Sequence, residues 1–198
     1  MMLRSFVALE VPAGIQIALA NSTDSLRQAL PRPLVRWVEP KNVHLTILFL
    51  GDVPPARLEQ LADALREEAN TLEPFDLTVR GLGAFPHARK ARIIWIGLEA
   101  PPGLAALVRG VQSAAAKLGF ALEDRPLSPH LTIGRVGQHT TADDLQRVRA
   151  ALEATTIGLV GTFRVEALQV FKSELKPGGP VYTKLYSLSL GKPLDNNH

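Results

Sequence analysis

Histidine and threonine recur in one spacing at two places, His44-Leu45-Thr46-Ile47 and His130-Leu131-Thr132-Ile133. A glycine follows each histidine by seven positions, at Gly51 and Gly137. Both tetrapeptides sit in apolar runs, VHLTILFLG and PHLTIGRVG, that read as buried strands. Alternate side chains on a strand share a face, so His and Thr of each copy point one way and Leu and Ile the other. The apolar pair enters a core, and imidazole and hydroxyl remain on the opposite face. Two such units supply two imidazoles and two hydroxyls. That set suits a phosphate ester, with one histidine to take a proton, one to give it, and two donors for phosphoryl oxygens.

Positioning these groups requires a strand on either side of a shared cleft, and the elements along the chain repeat in a way that provides it. Ser5–Leu9 reads as a strand, followed by a helix from Pro12 to about Leu30 whose middle, Asn21-Ser22-Thr23-Asp24, is a poor helix former. Val35–Val38 is a short strand, and the first motif strand runs over 43–50. A helix over 55–71 and strands over 75–80 and 92–98 come next, with a bulge expected at Gly81. After Pro101-Pro102-Gly103 comes a helix over 104–118 that stops at Gly119. A short strand over 120–122 and the second motif strand over 130–136 are then expected. Thr140 or Thr141 caps a further helix, and the last strands run over 162–171 and 181–190, joined by a Lys176–Pro180 loop. Residues 193–198 read as a disordered tail. The order of helix, motif strand, helix and strands occurs twice, which predicts one bilobal domain over 1–192. Its approximate halves, 10–100 and 101–192, each hold one motif.

The blocks SFVALEVP, RWVEPKNVHLTILFLG, FDLTVRGLGAFPHARKARIIWIGL, SPHLTIGRV and FKSELKPGGPVYTKL resemble the two-histidine (2H) phosphoesterases with paired His-x-Thr-x motifs. Within that superfamily the chain is most similar to the RNA 2′,3′-cyclic phosphodiesterases, also called 2′-5′ RNA ligases. The resemblance implies an α+β fold of two pseudo-symmetric lobes, each an antiparallel sheet with helices on its outer face, around a central cleft. It implies His44 as the proton donor to the departing 3′-oxygen and His130 as the acceptor that activates water, leaving a 2′-phosphate. The residues themselves do not assign the two roles. The implied partner is RNA ending in a 2′,3′-cyclic phosphate, tRNA fragments among them, with no cofactor, no membrane and no obligate protein partner.

Other residues join the candidate set. Thr46 and Thr132 would donate to the non-bridging oxygens. Arg135, five residues after His130, carries a guanidinium suited to phosphate, and the resemblance often has Arg there. Phe49 holds the matching position after His44; it could stack on a base, but an apolar run makes core packing its expected role. Arg89, Lys90, Arg92 and Lys172 could steer RNA backbone or simply be solvated.

Composition narrows the alternatives. The chain has 198 residues, no cysteine and five histidines, so thiol chemistry, disulfides and Cys-ligated zinc are excluded. The opening MMLRSFVALEVP is too short for a membrane span and lacks a signal-peptide pattern, so a cytoplasmic protein is expected. A net charge of +3 and a pI of about 9.4 permit an anionic partner. Three other readings stay open at this point. For a metal hydrolase, two histidines on separate strands leave a zinc site short of ligands. A non-catalytic RNA-end binding module would use the same groups, and 2′-5′ ligation shares a reaction centre with hydrolysis.

Overall fold

In a computed structural model, which describes residues 1–122, 128–177 and 179–191, the chain forms two antiparallel sheets with helices packed against them. The first half of the chain runs β1 (Leu3–Glu10), α1 (Ala13–Ser22), α2 (Asp24–Ala29), β2 (Val35–Trp37), β3 (His44–Val53), α3 (Pro55–Ala69), β4 (Phe75–Phe85) and β5 (Ile93–Glu99). The second half runs α4 (Pro102–Lys117), β6 (His130–Val136), α5 (Ala142–Ala154), β7 (Leu159–Val165), β8 (Ala167–Lys176) and β9 (Gly179–Ser189).

One sheet has the order β3-β1-β8-β9 and the other β2-β6-β5-β4-β7. Counted by repeat, with β5 opening the second although it precedes residue 101, each sheet contains one motif strand, β3 or β6, flanked by the strand that opens its own repeat, β1 or β5. Next comes a strand from the other repeat, β8 beside β1 and β4 beside β5. The helices cross in the same reciprocal way: α1 packs against β7 and α4 against β3. The halves 10–100 and 101–192 thus carry one motif each, but neither sheet belongs to one half. Val7, Leu9, Leu77, Val79, Ile94, Ile96, Leu131 and Ile133 lie in one buried apolar cluster that takes in both sheets. A second, small cluster of Phe6, Ala8 and Phe171, with Tyr182 against it, lies on the opposite face of the first sheet.

Several local expectations change. The helix expected over 12–30 is two helices broken at Thr23. The Thr23 hydroxyl is buried and donates back to the Leu19 carbonyl at 2.8 Å, while its Oγ1 accepts from Arg27 Nε at 3.0 Å. Polar side chains of this kind compete with the helical backbone. Phe120–Leu122 forms no strand, because the Phe120 N–H closes the end of α4 by donating to the Ala115 carbonyl at 3.0 Å. Gly119, at φ +72°, makes that closure, as a helix stop should. The strand expected over 162–171 is two strands, because the chain leaves one sheet at Glu166 and enters the other. Gly81, at φ +79°, does form the expected bulge between β4 and β5, and Thr141 caps α5 in a reciprocal capping box with Asp144. The expected tail, 193–198, lies outside the described residues.

Candidate functional site

The motif strands show the expected alternation. Leu45, Ile47, Leu131 and Ile133 are buried, while His44, Thr46, His130 and Thr132 are half-buried on the other face. Each strand then carries a β-bulge at the same motif position. Between β1 and β3, Val7 pairs with Leu48 and Ala8 with Thr46, which leaves Ile47 unopposed. Between β5 and β6, Ile94 pairs with Gly134 and Trp95 with Thr132, which leaves Ile133 unopposed. A bulge advances the alternation by one residue and re-aims the side chains beyond it. Phe6 and Ala8 share a face and pair with Phe49 and Thr46, so Phe49 turns to the histidine side. Ile93 and Trp95 likewise pair with Arg135 and Thr132 and bring Arg135 to that side. Core packing, the expected role of Phe49, is therefore overturned: its side chain is 58% exposed, with its ring tilted against Phe6 at 6.3 Å.

Both imidazoles are held alike. His44 Nδ1 lies 2.8 Å from the Asn42 carbonyl and His130 Nδ1 lies 2.6 Å from the Ser128 carbonyl, each two residues upstream. A carbonyl only accepts, so each Nδ1 carries the hydrogen and each Nε2 is left for proton exchange. Aromatic rings fix the planes. His44 stacks on Phe6 at 4.8 Å and meets Tyr182 edge-on at 5.1 Å. His130 meets Phe85 edge-on at 4.9 Å and lies 6.4 Å from Trp95.

The two motif strands belong to different sheets, yet β3 and β6 approach with Cα atoms within 8 Å. The electrostatics link them across that approach. Burial pushes the His44 pKa below its ordinary value; the bond to Asn42 opposes this, and the Arg135 charge adds to it. Burial raises the Tyr182 pKa, and the same Arg135 charge counters it. Arg135 of the second motif strand thus acts on the histidine of the first. On the His44 side a cavity of about 200 Å³ is lined by Phe6, Glu10, Asn42, His44, Tyr182 and Lys184.

Some candidate residues lie elsewhere. Arg89 and Lys90 sit on a 3-10 turn packed against α5. Lys172 alternates away from Phe171 and pairs with Glu174 at 3.0 Å. Among the described residues, no three His, Cys, Asp or Glu side chains are grouped to hold a metal ion, and no helix is long and apolar enough to cross a membrane. Sequence reasoning missed the aromatic rings around the histidines. Asn42 and Ser128 left a faint signal, a small polar residue two places before each motif histidine. Nothing in the sequence pattern marked Tyr182, which reaches His44 from the last strand.

Comparison with known proteins matches this arrangement to one family. The family described as LigT like Phosphoesterase matches twice, over residues 9–95 and 96–182, with one histidine motif in each match. An RNA 2′,3′-cyclic phosphodiesterase of Methanothermobacter thermautotrophicus is 35% identical over 185 residues, covering 93% of this chain and 97% of that one. The crystal structure of a Thermus thermophilus protein superposes with a TM-score of 0.80 at 29% identity, covering 96% of this chain and 99% of that one. E. coli LigT complexed with 3′-AMP superposes with a TM-score of 0.72 at 27% identity, covering 96% and 99%.

Proposed function

The chain belongs to the LigT-like phosphoesterase family, and from that premise we propose that it hydrolyses the 2′,3′-cyclic phosphate ends of RNA to 2′-phosphomonoesters by two-histidine acid–base catalysis. The observation that carries this reading is the matched pair of imidazoles, each with Nδ1 tied to a carbonyl and Nε2 left for proton exchange. Relatives named RNA 2′,3′-cyclic phosphodiesterase support the substrate class. The E. coli LigT complex with 3′-AMP supports a nucleotide in the cleft.

His130 takes a proton from water, which attacks phosphorus in line with the 3′-oxygen. His44 gives a proton to that oxygen as the P–O3′ bond breaks, and the phosphate stays on O2′. One side chain accepts a proton and the other supplies one, so the reaction needs no metal ion. Thr46 and Thr132 donate to the non-bridging oxygens, and Arg135 offsets their charge. His44 starts with a low proton affinity, which does not suit an acid. The arriving phosphate opposes this by screening the Arg135 charge and setting an anion beside the ring, which favours the charged imidazole against the larger effect of burial. The reaction centre draws on both repeats, and residues 1–192 act as one catalytic unit. Tyrosine and phenylalanine rings around His44, with Phe49 exposed beside them, offer a base a stacking surface.

The test is a product assay on an oligoribonucleotide ending in a 2′,3′-cyclic phosphate, with EDTA present. The expected product is a 2′-phosphomonoester end. A 3′-phosphomonoester, or no turnover until a metal is restored, would contradict the proposal.

A further inference from the structure

Directly opposite Arg135, on edge strand β2, stands Arg36. Residues opposed across an antiparallel pair share a face, with Cβ atoms about 4.5–5.5 Å apart. The register leaves no freedom here. Val35 and Val136, the neighbouring pair, are buried at 0% and 6% exposure, so both guanidiniums must point to the other side, where the histidines are. Backbone bonds from Val38 N to Ile133 O at 2.8 Å and from Gly137 N to Leu34 O at 2.9 Å hold β2 in place. Trp37 anchors it further through Nε1 to the Leu30 carbonyl at 2.9 Å.

Like charges facing each other across a strand pair destabilise a sheet. Among the described residues, five other arginines meet a carboxylate, namely Arg66, Arg80, Arg147, Arg149 and Arg164. Arg36 and Arg135, like Arg4, Arg32 and Arg109, form no ion pair among the described residues, but they also face each other across a strand pair. A costly local arrangement held on a rigid edge is expected where a ligand supplies the missing partner. An anion is that partner. Arg135 lies near enough to act on His44, so it belongs to the reacting phosphate. Arg36 lies one strand farther out.

We propose that Arg36 anchors a second phosphate, the phosphodiester on the 5′ side of the terminal nucleotide, with Arg135 between the two anions. This inference rests on the hydrolase reading above and extends it from a nucleotide end to an RNA strand. The enzyme then distinguishes a chain end from a free mononucleotide by charge, without reading sequence.

The test measures kcat/KM for a nucleoside 2′,3′-cyclic phosphate and for a dinucleotide with the same 2′,3′-cyclic end. Wild type should prefer the dinucleotide. In R36Q that preference should fall about tenfold, the scale of one charge-assisted contact. The salt dependence of the dinucleotide reaction should also lose about one phosphate's share, a slope change of about 0.7. R36K should keep part of the preference. R36Q should melt no lower than wild type, since it relieves a like-charge pair. Failure of wild type on both substrates would remove the hydrolase reading. Turnover of both with an unchanged preference in R36Q, or an equal loss on both substrates, would overturn the subsite and leave the hydrolase reading standing.

Discussion

At the scale of single residues, the two histidines share an anchor but not an environment. His44 is enclosed by Phe6, Phe171 and Tyr182 and feels Arg135, so its pKa is held below the ordinary histidine value. The largest cause is burial, which Arg135→Gln leaves in place. Removing the guanidinium should therefore raise the His44 pKa part of the way back, read directly by NMR titration of the imidazole. An unmoved His44 resonance would show that the charge does not reach it. The same depression sets a pH dependence of folding. Between the lowered native value and about 6.5, the ordinary value, the unfolded chain binds a proton that the folded one does not. Stability from this group is thus complete above that window and falls on acidification through it.

At the scale of elements, the paired bulges decide which side chains join the site. A regular strand would send the fifth residue after each histidine to the core, and the sequence pattern alone supports that reading for Phe49. The bulges at Ile47 and Ile133 reverse it, because side-chain direction depends on register and a register slip leaves no mark in residue type. The motif alternation itself was legible, since Leu45, Ile47, Leu131 and Ile133 carry it in their apolarity. The break at Glu166 leaves a mark as well: residues of the large core are odd-numbered at Phe163 and Val165 and even-numbered at Leu168 and Val170, with Phe171 buried on the other face. The ring cage was not legible, because Phe85, Trp95 and Tyr182 come from strands whose pairing is decided by tertiary packing. Gly83 makes that cage testable. A Cβ there would lie 2.2 Å from the Trp95 ring, which is packed between Gly83, Phe85 and the His130 side. Gly83→Ala should displace the indole, cost about 1–3 kcal/mol in chemical denaturation, and lower turnover by tilting His130. Stability and turnover both at wild-type level would mean that Trp95 does not hold the ring.

At the scale of the whole molecule, the exchange of strands and helices is what would let two repeats build the one site proposed. Each motif strand lies in a sheet completed by the other repeat, β8 joining the sheet of β3 and β4 the sheet of β6. The histidines are thereby fixed relative to one another by packing that neither half possesses alone. If they serve one transition state, their contributions cannot add independently. The most direct measurement is hydrolysis of a 2′,3′-cyclic phosphate, with EDTA present and across pH, by wild type, His44→Ala, His130→Ala and the double variant. Each single change should lower the rate by about 10²-fold or more, the double should lose far less than the product of the two, and the wild-type profile should be bell-shaped. Full activity in either single variant would contradict the two-histidine account.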